Sequence, residues 1–294
     1  MNDPLFDTRQ VRRAFSRAAD GYEQAAALQR EIEARLLDAL SFHTATPALV
    51  LDAGCGPGRA SAALQKRWPK ADVLALDLAL PMLRQARRNA GWRPFARRPQ
   101  PLCGDVRALP LAGASVDVVF SNLCLQWVDD LPAVLAELRR VLRPGGLLLF
   151  STFGPDTLQE LRDAFAQADA APHVSPFAAI AQVGDALMHA GFRDPVLDRD
   201  DIVAHYRDLP ALMRELRALG ATNALAARRH TLTGKARFAA AARAYDALRG
   251  DAGLPATWEV ITALAWAPQE GQPIRAGGMD VARISASGIP VRRR

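Results

Sequence analysis

The chain has 294 residues, 50% hydrophobic and 23% charged, with a formal net charge of +6. This is the ordinary composition of a globular protein with room for one large domain or a domain plus an insertion. No apolar run approaches the ~20 residues of a membrane span, and Cys55, Cys103 and Cys124 show no metal-ligand spacing, which points to a reduced cytoplasm and to no metal site.

The first residues, MNDPLFDTRQVRRAF, hold no apolar segment of the secretory type, and Asp3 and Asp7 argue against an organelle transit peptide. Over 11–41, Phe15, Ala18, Ala19 and Tyr22, then Leu28, Ile32, Leu36, Leu37 and Leu40, recur at helical spacing, with Gly21 dividing two helices. An alternation follows. Strands are expected at 48–54, 71–78, 101–105, 116–122 and 147–153, with helices at 59–67, 80–90 and 130–142 between them. Residues 156–169 and 177–190 read as helices, 201–206 as a strand, 208–249 as two helical stretches divided by GATN, and 257–266 as a final strand. Residues 84–107 hold seven arginines against Asp105 alone, either a solvated face or a docking surface for an acidic partner. From residue 275 on, five arginines against Asp280 supply +4 of the net charge. That tail has no helical or strand period and is expected to be disordered, without a nucleic-acid role.

The expected fold is therefore α/β, a doubly wound, mostly parallel sheet of seven strands with N-terminal helices and a helical insertion before the last strand. The divisions are an N-terminal helical lid at 1–45, a core at 46–206 and 251–268, a substrate-side insertion at 207–250 that caps the carboxyl edge of the sheet, and the basic tail at 269–294.

The segment LDAGCGPGRA (51–60) places three glycines where the first strand ends. In an open α/β sheet ligands bind beyond the carboxyl ends of the strands, and a glycine turn lets a ligand approach bare backbone. The spacing matches neither the phosphate loop G-x-x-x-x-G-K-[ST] nor G-x-G-x-x-G, because Arg59 stands where the third glycine should be. The pattern is instead Asp52-x-Gly54-x-Gly56-x-Gly58, and an acid before the turn suits a cationic ligand.

LDAGCGPG resembles motif I of the class I S-adenosylmethionine-dependent methyltransferases. The resemblance implies a Rossmann-like fold and S-adenosyl-L-methionine as cofactor, with Gly54, Gly56 and Gly58 against its amino-acid and sugar parts. It implies Asp77 on the ribose hydroxyls, Met82 on the adenine, and Asp105 and Val106, within GDV, reading the adenine edge. Asn122, Leu123 and Trp127, within SNLCLQWV, would border the methyl group. VRRAFSRAADGYEQAAALQR (11–30), PHVSPF (172–177) and LMRELRALGATN (212–223) resemble corresponding segments of the malonyl-[acyl-carrier-protein] O-methyltransferases of biotin synthesis.

That resemblance implies esterification of the free carboxylate of a malonyl thioester, on an acidic acyl-carrier protein or on coenzyme A, by a cytoplasmic enzyme taken here as a monomer. A carboxylic acid of pKa about 4 is ionised at neutral pH, so no general base is expected. Tyr22 is the candidate lid residue beside the sulfonium, or else a helix–helix contact. Arg214 is the candidate holder of the malonyl carboxylate, or else a partner of Glu215, Glu160 or another surface acid. His173 is a pocket residue or a capped loop histidine. The arginines of 84–98 or Arg228, Arg229, Arg237 and Arg243 would dock the carrier. The rivals are a methyltransferase of another small acid or quinone, a related protein-arginine hydroxylase of respiratory-complex assembly, and a non-enzymatic scaffold.

Overall fold

The computed structural model describes residues 4–44, 46–91, 97–229, 231, 234–272, 274–276 and 279–281. Arg93 and the arginines beyond 281 lie outside this set.

The chain opens with helices α1 (Thr8–Ala18), α2 (Tyr22–Ala25) and α3 (Ala27–Ala39). It then alternates through β1 (Leu49–Ala53), α4 (Arg59–Arg67), β2 (Asp72–Asp77), α5 (Leu80–Asn89), β3 (Gln100–Cys103), β4 (Val116–Asn122), α6 (Leu131–Val141) and β5 (Leu142–Phe153). Helices α7 (Gln159–Ala166) and α8 (Ile180–His189) precede β6 (Arg193–Tyr206); α9 (Leu209–Ala218) and α10 (Lys235–Asp246) precede β7 (Leu254–Trp266). One tetrapeptide, DLPA, starts both α6 and α9. Asp130 accepts from Ala133 N at 2.9 Å and Asp208 from Ala211 N at 2.7 Å, with proline following in the first turn. Each such cap contributes about 1 kcal/mol.

Seven strands form one sheet in the order β3-β2-β1-β4-β5-β7-β6, parallel except for β7, which runs antiparallel to both neighbours. The strand order reverses between β1 and β4, so the carboxyl ends of these two strands frame a crevice. Both faces of the sheet are covered, which is why its central strands read as continuous apolar runs. Leu51, Val119, Leu148 and Ile261 face α6 and α8, whereas Val50, Val118, Phe120 and Leu149 face α3 and α4.

Helix α3 differs from the expected lid. Leu36 and, just past its end, Leu40 are buried against the sheet beside Leu64 of α4, so the end of α3 belongs to the core layer, while its start, with Gln29, Arg30 and Glu33, lies over the crevice together with Tyr22 of α2. The insertion packs on the carboxyl end of β5 and the start of β7: Leu212, Leu216 and Tyr245 share a cluster with Phe153, Phe165 and Trp258. In the stretch expected to be disordered, β8 (Ile274–Ala276) and β9 (Met279–Val281) pair as an antiparallel hairpin. The remainder of that expectation falls on residues outside the described set. No helix among the described residues is long and apolar enough to cross a membrane, and no metal-binding cluster occurs among them.

Candidate functional site

The three glycines of the turn after β1 do three different things. All have positive φ (+78°, +51° and +81° for Gly54, Gly56 and Gly58). A Cβ at Gly54 would collide with the Cys124 side chain, and one at Gly58 would lie 2.6 Å from the Cβ of Ala86 on α5. These two residues let segments approach. A Cβ at Gly56 would meet nothing within 4 Å, because this residue faces the crevice.

Asp77, at the end of β2, is locked to that turn. Its Oδ2 accepts from Gly56 N at 2.9 Å and its Oδ1 from Ala79 N at 2.7 Å. Each oxygen keeps a lone pair for a further donor. Burial pushes its pKa up to about 6 against the pull of these two amides. Asp52 is 1% exposed and accepts from Ser61 Oγ; burial, with Glu33 and Asp77 nearby, pushes it up to about 7.

The crevice has two lobes that share Tyr22, Gly54, Gly56 and Asn122. The larger, of about 460 Å³, runs from Asp52 and the glycines to Gln29, Arg30 and Glu33 on α3. The smaller, of about 100 Å³, lies under α1, where Asp77, Met82, Asp105, Val106 and Leu123 line it. Met82 is 1% exposed and packs on Ala18, Ala19 and Tyr22, so it serves the core and the crevice wall together. Burial raises the Tyr22 phenol, with Asp77 and Glu33 adding to the shift, so it stays protonated at neutral pH.

At the end of β4, Asn122 Oδ1 accepts from Ser151 Oγ (2.8 Å) and its amide Nδ2 donates to Gln29 O (3.2 Å). Leu123 follows at φ +49°, a conformation that a branched residue holds only when its surroundings compel it. Asp105 lines the crevice, but Arg107 occupies it: the guanidinium reaches Oδ2 at 2.6 Å and the Arg107 amide reaches Oδ1 at 3.0 Å. This pairing outweighs burial and lowers the carboxyl pKa. The Arg107 guanidinium also reaches Thr8 Oγ1 at 3.0 Å and lies 4.0 Å from Asp129, so it ties this segment to the start of α1.

A third cavity, of about 240 Å³, adjoins the crevice at Trp127, which lines both. Its walls are mainly apolar and come from α7, α9 and the starts of loops on either side of them, including Phe153, Phe165, Phe177 and Leu216. Three buried polar atoms on its lining residues, Gln126 Oε1, Thr222 Oγ1 and Trp258 Nε1, have no hydrogen-bond partner among the described residues. His173 also lines it, stacked on Phe165 at 4.0 Å and held by Asp169 through Nε2 at 3.0 Å.

Arg214 is not brought there. Its side chain is 60% exposed and lies 4.0 Å from Asp208. Helix α9 buries Leu209, Leu212 and Leu216, and its cavity side carries Met213 and, one turn on, Arg217. Arg217 has no ion pair among the described residues. The periodicity of α9 could have pointed to it, since residues four apart share a face. Gln126, Thr222 and Trp258 carried no comparable signal.

A methyltransferase-domain model matches residues 51–150. The chain is 58% identical to a malonyl-[acyl-carrier protein] O-methyltransferase of Xylella fastidiosa, over 99% of this chain and 98% of that protein. The chain belongs to the malonyl-[acyl-carrier protein] O-methyltransferase family. A family member from Gallionella capsiferriformans is 45% identical over 91% of this chain and 93% of its own. Among solved structures, YcgJ of Bacillus subtilis aligns with a TM-score of 0.57 at 15% identity, over 81% of this chain and 99% of its own. A phosphoethanolamine N-methyltransferase of Haemonchus contortus, solved with S-adenosylhomocysteine, aligns at 0.56 and 17% identity, over 86% and 58% respectively. At such identities these two share the fold with this methyltransferase-family chain.

Proposed function

We propose that the protein transfers a methyl group from S-adenosyl-L-methionine to the free carboxylate of a malonyl thioester, as its family name describes. The observation that carries the acceptor half is the mainly apolar cavity at Trp127, on whose lining residues Thr222 Oγ1 and Trp258 Nε1 are buried donors without a partner among the described residues. Buried donors without partners cost roughly 1–3 kcal/mol each, and a ligand with acceptor oxygens would repay them.

The crevice fits the cofactor. Gln29 Oε1 is buried in the larger lobe without a partner, placed to accept from an ammonium group, and Asp52 and Glu33 add negative charge there. Arg30, lining the same lobe, suits the carboxylate of the same amino acid. Asp77 would accept from both ribose hydroxyls with its remaining lone pairs, Gly56 would leave room for the sugar, and Met82 and Val106 would flank the base. With Asp105 held by Arg107, its lone pairs are largely spent, and its part toward the base is correspondingly smaller. The cofactor, when bound, supplies a methyl group on a sulfonium.

The protein then has to hold the acceptor, exclude water and remove no proton. The malonyl carboxylate is ionised at neutral pH. Trp258 Nε1, Thr222 Oγ1 and the Arg217 guanidinium are the donors that would hold it or the thioester carbonyl. Neutral Tyr22 stands between the two lobes as an aromatic face toward positive charge, worth about 0.5–2 kcal/mol. Alignment of the two reactants can contribute roughly 7–11 kcal/mol. The thioester carried on an acyl-carrier protein, monomeric action and a reduced cytoplasm belong to the same proposal, and the free Cys55, Cys103 and Cys124 support the last.

The test is methyl transfer from labelled S-adenosylmethionine to malonyl- and acetyl-carrier protein. Label entering only the malonyl substrate, as a base-labile ester, is expected. Transfer to neither, with cofactor binding intact, would move the function to another acceptor.

A further inference from the structure

The two arginine groups that could receive an acidic partner are not equivalent once their contacts are known. In the insertion, Arg228 is bound to Asp7 (2.9 Å) and Arg229 to Asp169 (3.4 Å). Both hold the fold together; on α10, Arg237 and Arg243 have no ion pair among the described residues, and its one acid, Asp246, is paired with Arg249. The other group is larger than the sequence suggested, because the fold adds α1 to α5. Ala18 of α1 and Ala19 just after it pack on Met82 of α5 and on Ala79 before it, so the outer faces of the two helices adjoin.

These faces expose Arg9, Arg12, Arg13 and Arg17 on α1 and Arg84 and Arg87 on α5. None of the six has an ion pair among the described residues, and neither helix contains an acid. Six exposed guanidinium groups are thus gathered without ion-pair partners, and an acid at their edge, Asp20, lies 3.9 Å from Arg88 of α5. We propose that this α1–α5 face docks an acidic carrier protein that delivers the acyl thioester.

The position of the face supports that occupant. Its inner side is a wall of the site: Thr8, Val11 and Phe15 of α1 line the smaller lobe. Phe15 packs edge-on against Trp127 at 5.4 Å, and Trp127 separates the cofactor crevice from the acceptor cavity. On the far side, Gly220 lets the end of α9 meet the α1 backbone, since a Cβ there would lie 3.1 Å from Phe15 Cα. A carrier held on α1 therefore stands over the wall between the two reactants, within reach of a long flexible prosthetic arm. The inference rests on the malonyl-thioester reading.

The experiment compares two acceptors, malonyl-carrier protein and malonyl-pantetheine. The second is chosen over the coenzyme A ester because the latter's phosphates would answer to the same arginines. The variant is Arg12→Glu, Arg13→Glu, Arg84→Glu, Arg87→Glu, with Arg237→Glu, Arg243→Glu as the control surface. The four reversals are expected to raise the KM for malonyl-carrier protein roughly 10–100-fold, with turnover of malonyl-pantetheine within about twofold, and the control is expected to change neither. Added salt should raise the wild-type carrier KM and not that of the variant. An unchanged carrier KM, an equal loss with both acceptors, or loss only in the control pair overturns the docking face while leaving the function standing. Wild-type protein that methylates neither acceptor overturns the malonyl reading instead. Binding of labelled carrier protein by fluorescence anisotropy then decides the face separately, and a face that retains nucleic acid but not carrier protein overturns it.

Discussion

The cofactor crevice and the acceptor cavity meet at Trp127, yet they are built in opposite ways. Around the crevice most polar groups are already satisfied by the chain itself, Asp77 by two backbone amides, Asp105 by Arg107, Asn122 by Ser151 and Gln29, and Gln29 Oε1 alone among its lining side chains is buried without a partner among the described residues. Its ligand-facing backbone comes from short stretches at the ends of adjacent strands. The acceptor cavity is assembled from α7, α9 and the start of β7, and leaves Gln126, Thr222 and Trp258 with buried polar atoms unmet. The first is preorganised, and substrate binding there costs little rearrangement. The second is held at a cost in stability that only a ligand relieves.

The largest effect that could break this contrast is at the glycine turn. Gly56→Val places a branched side chain in the open crevice at φ +51°, and cofactor affinity by calorimetry is expected to fall roughly 100-fold or more, the backbone strain itself being about 1–2 kcal/mol. Wild-type affinity would remove motif I from the cofactor site. Gly58→Ala sharpens the point, since its Cβ would press on Ala86 instead. It is expected to cost about 1–3 kcal/mol in denaturant unfolding by overpacking, in addition to its φ strain.

In the acceptor cavity, Thr222→Val is expected to raise the KM for the malonyl thioester about tenfold without lowering the melting temperature, because it deletes an unsatisfied hydroxyl. A lower melting temperature with unchanged KM would make Thr222 structural. Arg217→Met and Arg214→Met, measured side by side, come next: about a tenfold rise in KM is expected for the first and less than about twofold for the second. The reverse order would return the carboxylate to Arg214.

The smallest effect is on pH. Asp77 and Asp52 have folded pKa values raised to about 6 and about 7. Groups of this sign contribute stability that is complete below their unfolded pKa and is lost as pH rises through the folded values. The cofactor-free protein should therefore gain stability from this pair as pH falls from 8 toward 5, while cofactor affinity should fall, because protonated Asp77 is a poorer acceptor. Parallel pH profiles of melting and of cofactor binding check both directions; an affinity that rises on acidification would exclude Asp77 as the ribose acceptor.

How much of this could be read from the sequence varies with distance along the chain. The strands and the glycine turn were legible because a parallel strand buried on both faces is an unbroken apolar run, and because left-handed backbone selects glycine locally. Asp77 was legible from its place at the end of β2. Arg107 in the way of Asp105 was not, although they are only two positions apart, because a guanidinium has many possible partners. Arg214 was chosen for its motif, whereas the buried stripe of α9 turns Arg217 to the cavity.

Residues 48–153, read alone, thus determined the five parallel strands β1–β5 and the glycine turn after β1, since each depends on contacts between near neighbours or on strand ends that the topology must bring together. The acceptor cavity, the placement of the end of α3 in the core layer and the union of α1 with α5 into one arginine face were decided only by tertiary packing. They join residues up to about two hundred positions apart, such as Phe15 with Gly220, and no local propensity or periodicity encodes which apolar face meets which.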